Sequence, residues 1–334
     1  MSWFEAVLRR VDRFQQRHLV TSVFVGLIKK YGDDNAGALA SNIAFSAFST
    51  VFPLLLLLIT SLGVILSHDA ALRARILHSA LAQFPVIGTN LGQNIHAIAR
   101  KSAIAYTVAI LLLVWTCTGL ARGGLFAMSQ VWNLPGPDRP NFVTRLGRSV
   151  LFLLVLALGL LLSTAVASLG TVAGHGIFVG GLVDLAAVAV NVGQYFLAFR
   201  ILTPRVVSWR SLVPGAIVGG ILWTALQALG AVLVWHVLRG ASELYGTFAI
   251  VLGLLAWIKL GTTITVYAAE LNTVLARHLW PRNLVQPPLT SADQASLAAQ
   301  ATQNQRRPEQ RVEVTFTEPP ATQAEFLASP PGHD

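Results

Sequence analysis

The sequence predicts an all-α polytopic membrane protein with six transmembrane helices and both termini in the cytoplasm. Three observations predict it. Of 334 residues, 54% are hydrophobic and only 12% charged, with mean hydropathy +0.61, whereas a soluble domain carries about 25% charged residues. Apolar runs occupy about Leu39–Leu66, Ile104–Phe126, Ser149–Gly170, Phe178–Leu202, Leu212–Val237 and Thr247–Leu275, each long enough to cross a hydrocarbon core of about 30 Å as a helix. The third observation is the distribution of basic residues. Sixteen of the 24 Lys and Arg fall in the N-terminal arm, the 2–3 loop, the 4–5 loop and the C-terminal part, and only Arg73, Arg75, Arg100, Lys101 and Arg239 fall on the other side. By the positive-inside rule the first side is cytoplasmic. The net charge of +9 is therefore read as a topology signal with some attraction to anionic lipid, not as nucleic-acid binding.

The expected organisation is a cytoplasmic amphipathic arm over residues 1–38, the six-helix domain over 39–276 and a cytoplasmic, mostly disordered tail over 277–334. In the arm, Trp3, Phe4, Val7, Leu8, Val11 and Phe14 of WFEAVLRRVDRFQQRH recur at helical spacing with arginines on the other face. Two readings stay open, a helix lying on the membrane surface or a soluble helix docked on the bundle. A charged arm before the first apolar run leaves no cleavable signal sequence, and that run is expected to act as an uncleaved signal-anchor. The 1–2 loop, about Ser67–Ala103, holds a helical pattern, ALRARILHSALAQF, broken by Pro85 and Gly88, expected to lie at the external interface or partly re-enter. The 3–4 connection, GTVAGHGIFVGG, reads as a tight hairpin. After Gln286 the apolar periodicity ends and seven of the fifteen prolines follow, which predicts disorder.

The informative residues are polar ones inside the spans. In span 1, Asn42, Ser46, Ser49, Pro53 and Thr60 fall within about 60° of one another on a helix, and Pro53 is expected to kink it. This stripe is either a small-residue packing face or a wetted cavity wall with a hinge. In span 5, Gly215 and Gly219 form a G-x-x-x-G packing pair. Span 6 carries Lys259, Thr263 and Glu270 on one face. Lys259 and Glu270 are separated by an axial rise of about 16 Å, too far for a direct ion pair. Spans 2, 4 and 6 run in the same direction, so Arg122 and Arg200, at the ends of spans 2 and 4, are the expected partners of Glu270, and Asp184 is not. Such a pair is either a lock between helices or the gate of a path.

Nothing points to catalysis. There is no G-x-x-x-x-G-K-[ST], H-E-x-x-H or G-x-S-x-G motif, and no histidine falls in a ligand constellation. Cys117, the single cysteine, excludes an intramolecular disulfide and zinc-type Cys spacing. No metal, cofactor or nucleic-acid partner is expected.

Three segments, ASNIAFSAFSTVFPLLLLL in span 1, VSWRSLVPGAIVGGILW entering span 5 and LYGTFAIVLGLLAWIKLGTTITVYAAELN in span 6, resemble the YihY/BrkB family of bacterial inner-membrane proteins over roughly residues 30–280. The most specific pieces are Ala269-Glu270-Leu271-Asn272 and Trp209-Arg210 with Pro214-Gly215; Trp115 and Arg122 match more loosely. The resemblance implies six helices with both ends cytoplasmic. It adds Asn272 to the residues of interest. Some members of that family are linked to serum resistance and some to export of lipid A precursors. An older ribonuclease BN label is regarded as misassigned, and the missing nuclease constellation argues the same way. Asn42-Ile43 and Lys259 depart from residues frequent in the family, and a central lysine suits an anionic substrate.

The expected function is transport or flipping of an anionic amphiphile across a bacterial inner membrane, without an enzymatic step. Its path or gate would be drawn from Asn42, Ser46, Ser49, Pro53, Arg122, Arg200, Lys259, Thr263, Glu270 and Asn272. The alternative is a non-catalytic structural or assembly protein of the envelope. Membrane lipids are the expected partners, with a second copy or other envelope proteins as further candidates.

Overall fold

The computed structural model describes residues 3–65, 102–136, 141–172, 177–204, 206–240, 246–286 and 288–317. Along them run α1 (Trp3–Arg17), α2 (Leu19–Asp33), α3 (Ala36–Ile65), α4 (Ser102–Val131), α5 (Phe142–Val172), α6 (Ile177–Leu202), α7 (Val213–Gly240), α8 (Gly246–Arg277) and α9 (Ser291–Gln303), with a 3₁₀ turn at Trp209–Leu212 before α7. No strand occurs among the described residues. Helices α3 to α8 are the six that are long and apolar enough to cross a membrane, one for each of the expected spans. Expectations for the 1–2 loop, the centre of the 3–4 connection, the Thr60 side chain and residues after Thr317 fall outside the described residues.

Two compact units divide the chain. One comprises Met1–Ala40, Gly124–Ala225 and Thr263–Asp334, the other Ser41–Gly123 and Leu226–Thr262.

In the first unit the membrane helices are brought together by glycine. The carbonyl oxygen of Ala268 on α8 lies where a side chain on Gly215 would sit, and the Gly215 N–H donates to Asn272 Oδ1 at 2.6 Å. Gly219 faces Tyr195 of α6 and Ala268 of α8, and Gly220 faces the backbone of Val192. The G-x-x-x-G pair therefore serves packing within this chain. Hydrogen bonds tie the same helices: Asn191 Nδ2 donates to Thr224 Oγ1 at 2.9 Å, and the hydroxyls of Tyr195 and Thr265 lie 3.0 Å apart. Helix α5 packs on α6, where Gly159 faces Gln194.

The arm and the tail are also helical in this unit. Residues 19–33, for which the sequence pattern gave no element, form α2, and the tail expected to be mostly disordered carries α9, which corrects that expectation over Ser291–Gln303. Thr290 caps α9 reciprocally: its Oγ1 accepts from Asp293 N at 3.1 Å, and the Asp293 carboxylate accepts from Thr290 N at 3.2 Å. Helix ends at α2, α4 and α8 are closed by left-handed residues, Asn35 (φ 50°), Asn133 (φ 43°) and His278 (φ 53°). At α4 the bonds Leu134 N to Ser129 O and Asn133 N to Gln130 O form a Schellman motif with asparagine where glycine is commonest.

In the second unit, Gly123 of α4 faces Asn42, Ile43 and Ser46 of α3, so the polar stripe of span 1 abuts a small-residue site. Ser46, Ser49 and Thr50 donate to carbonyls of their own helix at 2.8–3.0 Å. Pro53 is buried inside α3. Trp257 of α8 packs over Gly230 of α7.

Glycine substitutions separate packing from propensity. Gly215→Ala sets a methyl group against a backbone oxygen that cannot rotate away and is expected to destabilise by about 1–3 kcal/mol. Gly193→Ala on α6 meets open space and is expected to stabilise by about 0.5–1 kcal/mol. Thermal unfolding midpoints of the two variants in detergent check the contrast; equal midpoints would contradict it.

Candidate functional site

Helix α2 is the element that organises the polar site. It reads LVTSVFVGLIKKYGD, and its buried residues are Ser22, Gly26 and Lys30, one stripe at a spacing of four. The buried stripe is small or polar, whereas Val20, Phe24 and Ile28 are exposed. Helix α2 runs antiparallel along the end of α8. Gly26 meets Val274, Leu279 and Trp280, and Lys30 meets Glu270. Tyr31 stacks on Tyr267 with ring centroids 3.9 Å apart and also bonds Thr263. Burial first, and then Tyr267, push the Tyr31 phenol up from its ordinary value.

At the centre lies a buried charge cluster. Lys30 and Glu270 are both fully buried, with Nζ 3.5 Å from Oε2, and neither Glu270 oxygen has a hydrogen-bond partner. The Lys30 ammonium instead bonds the Asp34 carboxylate and donates to Val131 O at 3.1 Å. Asp34 Oδ1 further accepts from Asn133 Nδ2 at 3.1 Å and Gln300 Nε2 at 3.4 Å. Asn133 Nδ2 also donates to Gln130 O at 3.1 Å and Gln303 Oε1 at 3.0 Å. Arg277 also interacts with Asp34 and donates to Trp132 O at 2.7 Å. One ammonium thus links α2, the end of α4 and α8, and Asp34 adds α9.

A second cluster ties the arm to the C-terminal segment. Arg282 is buried and donates to Asp293 Oδ1 at 2.8 Å and Asp33 Oδ2 at 2.6 Å. Asn283 N donates to Asp293 Oδ2 at 3.1 Å. Burial opposes the Asp293 charge, but the bonds from Arg282, Asn283 and Thr290, with the guanidinium charge, outweigh it and hold the carboxyl below its usual range. Burial likewise pulls the Lys29 ammonium down, against the pull of Asp293. A cavity of about 760 Å³ opens between the α2–α3 elbow, the end of α4 and α9, lined among others by Asp33, Asp34, Gln130, Gln300 and Arg306.

The expected site residues are distributed as follows. Glu270 pairs with Lys30, not with Arg122 or Arg200, which are both exposed. The arm folds back along α8 and places a closer cation. Thr263 faces Tyr31, and Asn272 accepts from the first turn of α7, which joins the Trp209–Gly215 and Ala269–Asn272 segments through one hydrogen bond. In the second unit Lys259 Nζ donates to Ser41 Oγ at 2.6 Å, a partner that spacing did not single out. Lys30 and Asp34 were missed as site residues because both lie outside the apolar runs.

A family model described as virulence factor BrkB matches residues 27–290, which includes Lys30, Asp34, Glu270 and Arg282 but neither α1 nor α9. A UPF0761 membrane protein of Stenotrophomonas maltophilia (strain K279a) is 30% identical over 159 residues, 44% of this chain. The chain spans 36% of the length of that curated relative. No solved structure matches the chain.

Removing the members of the first cluster should have unequal effects. Lys30→Met leaves the buried carboxylates of Asp34 and Glu270 without their shared ammonium, an expected loss of about 3–5 kcal/mol. Glu270→Gln leaves Lys30 paired with Asp34 and should cost much less, and it should recover part of the loss when added to Lys30→Met. Unfolding midpoints of the two single variants and the double variant check this; equal single losses would contradict it.

The Asp293 shift predicts an acid-side loss. A carboxyl held below its unfolded value of about 3.9 stabilises fully above that value and loses its contribution as pH falls through the folded value. Proteolysis around residues 284–303 should therefore accelerate below about pH 4. In Asp293→Asn it should already be fast at neutral pH. A flat pH profile in the unsubstituted protein would overturn the assignment.

Proposed function

The chain belongs to the BrkB virulence factor family, and from that premise we propose that it moves an anionic amphiphile across a bacterial inner membrane as a transporter or flippase. In this reading both termini face the cytoplasm, lipids are the working partners, and no covalent chemistry, cofactor or nucleic acid is involved. The single supporting observation is the charge of the second unit. Its described residues include Arg122 and Lys259 and no Asp or Glu. Lys259 donates to Ser41, next in sequence to Asn42, whose side chain faces Gly123. An ammonium near the centre of a membrane helix costs about 2.5–3.5 kcal/mol on insertion scales and commonly marks a substrate path. Cations with no carboxylate among the described residues of the same unit suit a phosphate-bearing headgroup.

A second reading, a non-catalytic structural or assembly protein, is favoured by the hydroxyls of Ser46, Ser49 and Thr50, which bond carbonyls of their own helix. Under it the buried polar groups hold helices together and no path opens.

The two readings part on water. In a Cys117→Ser background, single cysteines at Asn42 and Ser46 are labelled with a membrane-impermeant maleimide from each side. Transport predicts labelling at both, and predicts that Lys259→Gln slows movement of a fluorescent phosphatidylglycerol analogue in reconstituted vesicles by about tenfold or more while the protein still folds. Silence at both positions, with an unchanged rate of lipid movement, would sink the transport reading and leave the structural one.

A further inference from the structure

Helix α1 presents its faces the opposite way round from a helix docked on a soluble protein. Among its described side chains the buried ones are Asp12, Gln15 and Gln16. Asp12 Oδ2 accepts from Leu284 N at 3.1 Å, Gln15 Nε2 donates to Arg282 O at 2.9 Å, and Gln16 Nε2 donates to Asn283 Oδ1 at 2.6 Å. Asp12 Oδ1 also accepts from Gln15 Nε2 at 2.9 Å. The polar face is thus held by the polar segment at 282–284. The described apolar side chains of α1 point away: Phe14 is 59% exposed, Val11 48%, and at the start of α2 Leu19 and Val20 are 66% and 80% exposed. Phe24 and Ile28 continue this surface along α2 towards the first membrane helix.

Apolar surface that the described residues leave uncovered, on a helix that has bonded its polar side, asks for an apolar medium. Helix α1 is too polar to span, since Arg9, Arg10, Asp12, Arg13 and Arg17 share its 15 residues. It suits the boundary between headgroups and acyl chains. Arg10 and Arg17 are exposed and lie roughly 40–60° around the helix from Phe14, beside the apolar face and not opposite it as expected, because Asp12, Gln15 and Gln16 take the opposite face. On this flank a guanidinium reaches a lipid phosphate while the ring beside it stays in the acyl layer. We propose that α1 and the start of α2 form an interfacial foot, with Val11, Phe14, Leu19 and Val20 inserted in the membrane and Arg10 and Arg17 on anionic phospholipid headgroups. The foot is attached to the protein through Asp12, Gln15 and Gln16. This assignment does not depend on transport.

The test uses the full chain with Cys117→Ser, a spin label at Phe14→Cys, and nanodiscs of either phosphatidylcholine alone or phosphatidylcholine with phosphatidylglycerol. The foot predicts frequent collisions with oxygen and few with a water-soluble nickel chelate at position 14. It also predicts that the nickel collisions rise at least about twofold when phosphatidylglycerol is left out or when Arg10→Gln and Arg17→Gln are combined. A label at Gln16→Cys that stays shielded from both reagents shows that the docked face is intact. Ready access of nickel at position 14 in both discs overturns the proposal. So does protection of position 14 from both reagents, which would mean a protein cover such as a second copy. Equal behaviour in the two discs and in the double variant overturns recognition of anionic lipid.

Discussion

The Lys30 ammonium, buried between Asp34, Glu270 and the carbonyl of Val131, is the constraint on which the described polar architecture depends. A charge without water is tolerated only where opposite charge and hydrogen bonds surround it. Meeting that demand fixes three elements at once. Helix α2 must run antiparallel along α8 to bring Lys30 to Glu270, the end of α4 must turn where Val131 offers its carbonyl, and Asp34 must close the elbow into α3. Asn133, held at positive φ by the Schellman turn, then links Asp34 to α9 through Gln303. Ordinary hydrophobic packing of α2 would tolerate rotation or sliding. The ion cluster does not, because a shift of one turn strands the ammonium.

This arrangement explains why α2 carries its polar residues inward and its apolar residues outward. Facing α8 it needs a glycine for close approach, at Gly26, and a cation for Glu270. On its other side Phe24 and Ile28 are exposed among the described residues. Helix α1 follows the same rule with amides and a carboxylate in place of glycine and lysine. The C-terminal segment supplies the complementary groups through Arg282, Asn283 and Leu284, themselves held by Asp293. The two chain ends therefore complete each other's hydrogen bonding.

The six spans and the all-α class were legible because a run of twenty apolar residues has few other uses. The packing role of Gly215 and Gly219 was legible for a similar reason, since the spacing places both on one face. The partner of Glu270 was not. Arg122 and Arg200 stand at a suitable position in helices running parallel to α8, whereas Lys30 lies outside the spans. Lys30 sits in the arm before the first apolar run, in a segment whose buried face is small or polar and whose apolar residues face outward. Helix α9 was hidden by proline-rich flanks, although Thr290 and Asp293 carry the spacing of a capping box. Composition measured over a long tail outweighed a signal that occupies four residues.

The clusters of the first unit and the cations of the second differ in how their charges are met, and that difference bears on what each is for. In the first, Lys30, Arg277 and Arg282 each face a carboxylate brought by another segment or a neighbouring turn, and backbone carbonyls take up further donors. A group satisfied so completely resists any motion that would break several bonds together, as a lock should. Glu270 is the exception, fully buried with Oε2 3.5 Å from the Lys30 ammonium, the longer of that ammonium's two carboxylate contacts. In the second unit, Lys259 meets a hydroxyl and Arg122 is exposed, with no described carboxylate to hold either. A hydroxyl bond is readily exchanged for a phosphate oxygen, whereas a buried ion pair is not. Rigidity is thus concentrated where the N-terminal arm meets the segment at 282–303, and the exchangeable positive charge lies in the other unit.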